Sequence, residues 1–191
     1  SNSGASIQRT LRDHAPRVEN CGLEDASRKI KELLPLVLEI TDMEALRGLE
    51  GVGAAAYFGV LDHMLLNRKE DFYFGRNRRP PLDRVNAMLS FAYSLLAHDC
   101  ASALESVGLD SYVGFLHRDR PGRESLALDL MEELRPCMAD RFVLTLVNNR
   151  MVRPEDFQAQ ASGAVLLTDE GRKKFLKAWQ ARKRDSLSHP Y

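Results

Sequence analysis

Glu50 is the first residue in this sequence whose type and position point to chemistry. It interrupts an apolar stripe at helical spacing: Met43, Leu46, Glu50, Gly53/Ala54, Tyr57, Leu61 and Met64. A carboxylate among apolar neighbours is costly unless it is paired or holds a cation. A second group lies on an amphipathic helix expected over residues 124–135. At 100° per residue, Ser125, Asp129, Glu132 and Glu133 fall within about 50° of one direction, with Leu126 at the edge of that arc and Ala127, Leu130, Met131 and Leu134 on the other side. His117 closes the short apolar run before that helix, and the turn between them can fold its imidazole back over the helix start.

Each group has a plain structural alternative: Glu50 paired with an arginine, His117 as a core or helix-end histidine, the three carboxylates as a solvated face. Taken together they form a mixed histidine–carboxylate set. Hard oxygen ligands with one imidazole suit Mg²⁺ or Mn²⁺. Such an ion activates a hydroxyl nucleophile and neutralises charge on a phosphodiester.

Basic residues gather where a phosphodiester partner needs them. Arg118, Arg120 and Arg123 follow His117. Arg76, Arg78 and Arg79 share a loop with Phe72, Tyr73 and Phe74. The last helix carries Lys173, Lys174, Lys177 and Arg182 with Trp179. Arginine with aromatic residues suits DNA backbone and unstacked ends, and a solvated basic face is the alternative. A rival enzyme reading starts from His98-Asp99, the adjacent pair of HD-type metal phosphohydrolases. A non-enzyme reading makes the chain a helical interaction module with a structural Glu50 ion pair.

Composition limits the setting. The 191 residues are 44% hydrophobic and 28% charged with zero net charge, so any DNA surface must come from local clustering. Three separated cysteines, Cys21, Cys100 and Cys137, have no metal-ligand spacing and suggest reduced thiols in a cytoplasmic protein. No apolar run approaches the roughly 18 residues of a membrane span.

The elements that must position these side chains are mostly helices. Residues 1–5, with Ser1-Asn2-Ser3, read as a tag scar, and 5–22 as a lead-in segment with a short helix at Ile7 and Leu11. The catalytic domain is expected over 23–185, with a flexible tail over 186–191. Helices are expected over 23–40, from the Thr41-Asp42 cap to about Asn67, over 82–106 and 124–135, after Pro136 to about Arg150, and from Thr168 to Arg184. Residues 68–81 read as a loop. Residues 157–160 and 164–167 read as one small β-hairpin. The fold expected is mainly α, a single helical domain with that one hairpin. The glycines at 48, 51 and 53 suggest close approach of a helix or a ligand.

Several motifs carry a family resemblance. Arg47-Gly48-Leu49-Glu50-Gly51 is followed by Ala54-Ala55-Ala56-Tyr57-Phe58. Phe74-Gly75-Arg76-Asn77-Arg78-Arg79-Pro80-Pro81 precedes the helix with Asn86 and Tyr93. Val113-Gly114-Phe115-Leu116-His117 precedes Ser125-Leu126-Ala127-Leu128-Asp129-Leu130-Met131-Glu132-Glu133. In this order, over about residues 40–185, they resemble the CRISPR-associated integrase family (CRISPR-associated protein one). The resemblance implies a helical domain binding one Mg²⁺ or Mn²⁺ through Glu50, His117 and Glu132, with Asp129 as an extra acid and Glu133 as the neighbour open to confusion with Glu132. It implies spacer insertion by attack of a DNA 3′-hydroxyl on a phosphodiester, metal-dependent endonuclease activity, and CRISPR-associated protein two as partner. It also implies a β-rich N-terminal domain and a homodimer in the whole protein; that domain is missing from these residues.

Overall fold

In the computed structural model, residues 2–14, 18, 22–67, 69–77, 80–117 and 120–186 are described. They are mainly helical, as expected. Helices α1 (Asn2–His14), α2 (Leu23–Glu39) and α3 (Met43–Phe58) pack on one another. Asn2, expected to belong to a tag scar, starts α1, and its side chain donates to the Glu133 carbonyl at 2.7 Å. Asp42 caps α3 by accepting from Ala45 N at 2.8 Å.

Helix α3 stops at Phe58 rather than running on to Asn67. A 3₁₀ turn, Leu61–Met64, follows it. Here tertiary burial overrides helix continuation, because the turn carries Leu61, Met64 and Leu65 into the core. Asn148 then supplies the hydrogen bonds that another helical turn would have made. It accepts from Leu66 N at 2.8 Å and donates to the Met64 carbonyl at 3.0 Å. The stretch read as loop contains one turn of helix, α4 (Lys69–Phe72), which buries Phe72.

Helix α5 (Arg84–Ser106) is the centre of the fold. Asp83 caps it by accepting from Asn86 N at 2.7 Å. Val85, Met88, Leu89, Ala92 and Leu96 are buried along it, and α6 (Ser125–Arg135) and α7 (Arg141–Asn148) pack against it. Between α6 and α7 the chain makes a π-helical turn, Pro136–Asp140. Proline has no N–H to donate, so the helical hydrogen-bond register breaks there. The slip leaves Asp140 buried.

The expected hairpin is present as β1 (Phe157–Ala159) and β2 (Val165–Leu167), antiparallel, with Phe157 opposite Leu167. Helix α8 (Asp169–Arg182) is capped by Thr168, whose hydroxyl accepts from Gly171 N at 3.1 Å. Phe175 and Trp179 of α8 meet Phe142 edge-on, with ring centroids 5.1 and 5.2 Å away.

Candidate metal centre

The segment 109–117 is neither helix nor strand. It is a loop fastened at several points to the start of α6. The Ser111 carbonyl accepts from Leu126 N and Ala127 N at 3.0 and 3.2 Å, which satisfies donors that a helix N-terminus leaves open. Gly114 lies against Ser125; a Cβ there would stand 2.6 Å from the Ser125 Cβ. The Asp129 carboxylate then gathers three consecutive amides. Its Oδ2 accepts from Phe115 N at 2.6 Å and Leu116 N at 3.0 Å, and its Oδ1 from His117 N at 2.9 Å.

Asp129 Oδ1 also meets His117 Nδ1 at 2.7 Å. Burial alone would raise the Asp129 carboxyl, but the bonds from His117 and the three amides hold it below the ordinary carboxylate range. An ionised carboxylate only accepts, so Nδ1 carries the proton that meets it and Nε2 is the ring atom left to face a ligand. This carboxylate–histidine pairing is the arrangement that orients an imidazole as a metal ligand.

Arg47 fastens the same loop from the other side. Its Nε and Nη2 donate to the Leu116 carbonyl at 2.8 and 2.6 Å, and its Nη1 pairs with Glu44 at 2.5 Å. Arg47 lies one turn before Glu50, so it ties the helix of one candidate ligand to the loop of the other. Its role is not visible in the sequence. Its only sequence signal is its place beside Glu50 in the Arg47–Gly51 motif.

Glu50 is exposed, not buried among its apolar neighbours as the stripe implied. The stripe holds at its far end, where Tyr57, Leu61 and Met64 are buried. Its near end runs past the core: Met43 is exposed, as are Leu34, Val37 and Leu38 on α2. Between these ends and α6 lies a cavity of about 500 Å³, lined by Leu46, Glu50, Gly53, Leu116, Asp129, Glu132 and Glu133 among others. Glu50 therefore faces an open cavity. Of the neighbouring glycines, Gly53 approaches Leu33 of α2, with its Cβ position 3.6 Å from Leu33 Cδ1, while Gly48 and Gly51 face open space.

Glu132 is half-buried and pairs with Arg135 at 2.5 Å. Burial raises its carboxyl; Glu50 adds to that, while Arg135 and His117 oppose it. Glu132 thus lies close enough to feel both Glu50 and His117. Glu133, one residue on, is exposed. Among the described residues, no three His, Cys, Asp or Glu side chains form a ready metal-holding group, and Glu132 is engaged by Arg135. The chemistry of the donors nevertheless fits a hard divalent ion: two mutually repelling carboxylates and an imidazole whose Nδ1 is taken by Asp129, leaving Nε2 as the ligand atom.

Beneath Glu132 lies a buried polar cluster that the sequence reading did not contain. The Arg135 guanidinium sits 4.8 Å from the Tyr93 ring centroid and 5.8 Å from that of Phe58. Arg76 lies 4.7 Å from the Phe58 centroid. Tyr93 donates its hydroxyl to Asp140, beside the buried Tyr57. Burial pushes the Asp140 carboxyl up to about 6, against the Tyr93 bond and Arg135, which pull it down.

The basic clusters divide. Arg76 is half-buried and donates to the Asn77 carbonyl and Asn86 Oδ1 at 2.6 and 2.7 Å, so it holds its own loop. Lys174 pairs with the buried Asp156 at 2.6 Å, Lys173 with Glu170 at 2.8 Å, and Arg182 donates to the Cys137 carbonyl at 2.9 Å. Lys177 and Arg120 are exposed and Arg123 is half-buried. Arg78, Arg79 and Arg118 lie outside the described residues, as does Cys21. The His98-Asp99 pair does not form a site: Asp99 is taken by Trp179 Nε1 at 3.2 Å and Lys183 Nζ at 2.5 Å.

The sequence profile of the family described as "CRISPR associated protein Cas1" matches residues 1–181. The chain belongs to the Cas1 family. It is 54% identical, over 196 aligned residues, to "CRISPR-associated endonuclease Cas1 2" of Rhodospirillum rubrum, covering all of this chain and 57% of that protein. This Cas1-family chain therefore spans little more than half the length of that relative. A casposase bound to an integration product is similar in structure, with a TM-score of 0.78, 27% identity, and coverage of 99% of this chain and 51% of that one. The matching chain of a partial Cas6-RT-Cas1–Cas2 complex gives 0.80 at 25% identity, covering 95% and 54%.

Proposed function

We propose that this chain is the catalytic portion of a CRISPR adaptation integrase. With Mg²⁺ or Mn²⁺ it transfers a DNA strand by attack of a 3′-hydroxyl on a phosphodiester, and it cleaves DNA when water replaces that hydroxyl. Its partners are DNA and CRISPR-associated protein two, and the whole protein works as a homodimer in the cytoplasm. One observation carries the reading. Glu50 on α3, Leu116 just before His117, and Asp129 and Glu132 on α6 line one cavity, and Asp129 also holds His117. Membership of the Cas1 family, the endonuclease name of the Rhodospirillum relative and the integration product in the casposase structure support it.

Glu50, His117 and Glu132 would hold the ion. A divalent ion supplies Lewis-acid stabilisation of the phosphoryl oxygens and activates the attacking hydroxyl. Glu50 and Glu132 contribute the negative charge that attracts it. His117 presents Nε2, and Asp129 keeps the ring in that tautomer. Arg47 holds the loop at its distance from α3. Arg120, Arg123 and Lys177 remain for the DNA backbone.

The test compares three alanine variants in Mn²⁺-dependent cleavage and strand transfer. Glu50→Ala and His117→Ala should abolish both activities, and His98→Ala should retain them. Loss confined to His98→Ala would overturn the assignment.

A further inference from the structure

We infer that Phe115 is a stacking platform for an unpaired base of the DNA strand that enters the metal centre. The inference rests on the function proposed above and adds a substrate-contacting residue to it.

The backbone under Phe115 is among the most fixed irregular segments of the fold. Asp129 takes the amides of residues 115, 116 and 117, Arg47 takes the Leu116 carbonyl through two nitrogens, and Gly114 touches Ser125. A loop held this firmly gives its side chains fixed directions. Leu116 uses its direction to line the cavity. Phe115 is not part of that lining and is 77% exposed, with Val113 at 57% and Tyr112 at 47% next to it in the chain.

Leaving an aromatic ring in water gives up the burial that would otherwise stabilise the fold, and a ring on a fastened loop beside Val113 and Tyr112 makes a small apolar patch available to a partner. Two observations select a nucleobase. The ring is two residues from His117 and next to Leu116, which lines the cavity. Arg120 and Arg123 follow it within eight residues of chain, a run of positive charge after an exposed aromatic. That combination recognises single strands without sequence preference, by stacking and backbone neutralisation. A paired base would offer no open face, so the ring acts on unpaired nucleotides.

The test is made in EDTA, so that it reads DNA contact rather than the activity of the metal-loaded protein. The purified protein and its Phe115→Ala, Phe115→Leu and Phe115→Trp variants are titrated with a single-stranded oligothymidine and with a blunt duplex. Phe115→Ala should weaken single-strand binding about 10-fold to 100-fold and duplex binding much less, and Phe115→Leu should behave like Phe115→Ala. In Phe115→Trp, affinity should be retained and the new indole quenched by the oligonucleotide; Trp179, only 1% exposed, stays a constant background.

Unchanged single-strand affinity in Phe115→Ala, with no quenching of the indole in Phe115→Trp, would overturn the inference while leaving metal-dependent cleavage by the wild type intact. A large fall in melting temperature of Phe115→Ala would make the ring structural and overturn it. So would a loss of self-association with DNA affinity unchanged. If the wild type binds neither DNA form and does not cleave with Mn²⁺, the proposed function itself falls.

Discussion

Asp129 holds His117 twice through one oxygen: Oδ1 lies 2.7 Å from the ring Nδ1 and 2.9 Å from the backbone amide. The other oxygen takes the two preceding amides. Asp129 is therefore a positioning residue, setting both the tautomer of the imidazole and the path of the chain that carries it. Asp129→Asn keeps the shape, but its NH₂ cannot accept from backbone amides. The variant should lose about 2–3 kcal/mol of stability, the range for charge-assisted bonds lost from a half-buried site. The downfield Nδ1 proton of His117 in NMR spectra should disappear. The sign with pH follows from a lowered folded-state carboxyl. The contribution is full above the unfolded value of about 3.9 and is lost as pH falls below it through the folded value. Denaturant unfolding at acid pH should show that loss in the wild type and not in Asp129→Asn.

Asp140 has the opposite sign. Burial raises its carboxyl to about 6, above the unfolded value. Between about pH 4 and 6 the native state keeps a proton that the unfolded chain releases, so stability falls as pH rises through that window and then levels off. A separation of about two pH units corresponds to about 3 kcal/mol. Asp140→Asn can still accept from the Tyr93 hydroxyl but does not titrate. Urea unfolding should therefore show a much flatter profile between about pH 4 and 6 in the variant. An unchanged slope would place the titration elsewhere, with Glu132 as the next candidate because burial raises its carboxyl too.

Most of the helices and the hairpin were legible because each rests on local signals. These are 3.6-residue periodicity, the caps at Asp42 and Thr168, and the Pro136 break. What was not legible depends on tertiary geometry. The stripe through Glu50 predicts burial only if something covers the whole of α3, and α3 extends beyond the core, so Glu50 faces a cavity. The path of the chain after α3 is held by Asn148, distant in the chain, through Leu66 N and the Met64 carbonyl. Arg47 and Asp140 looked ordinary in sequence, because nothing local shows that one reaches the Leu116 carbonyl or that a π turn buries the other.

Gly48 separates helix stability from function. A Cβ there meets nothing within 4 Å, and the residue is interior to α3. Glycine in an exposed helix interior costs up to about 1 kcal/mol relative to alanine. Gly48→Ala should therefore raise stability by about 0.5–1 kcal/mol, measured by denaturant unfolding. If the open surface beside Glu50 serves as clearance for DNA, the more stable variant should bind DNA less tightly, an inverse relation that packing alone would not produce. A gain in stability with unchanged DNA affinity would remove Gly48 from the binding surface.

Gly114 tests whether the His117 loop is seated by close contact with α6. An added Cβ would stand 2.6 Å from the Ser125 Cβ and 2.7 Å from its carbonyl carbon, distances that no rotamer change can relieve. Ser125 is fully buried and begins α6, so the loop must yield rather than the helix. Gly114→Ala should cost about 1–3 kcal/mol, the usual range for overpacking. The larger effect should be local, because a loop lifted from Ser125 carries His117 away from Asp129. The His117 Nδ1 proton signal should weaken and Mn²⁺ binding, followed by electron paramagnetic resonance, should drop in the same variant. A Gly114→Ala protein with the stability loss alone, and with the His117 signal and Mn²⁺ affinity of the wild type, would show that the loop reaches its position without the Ser125 contact.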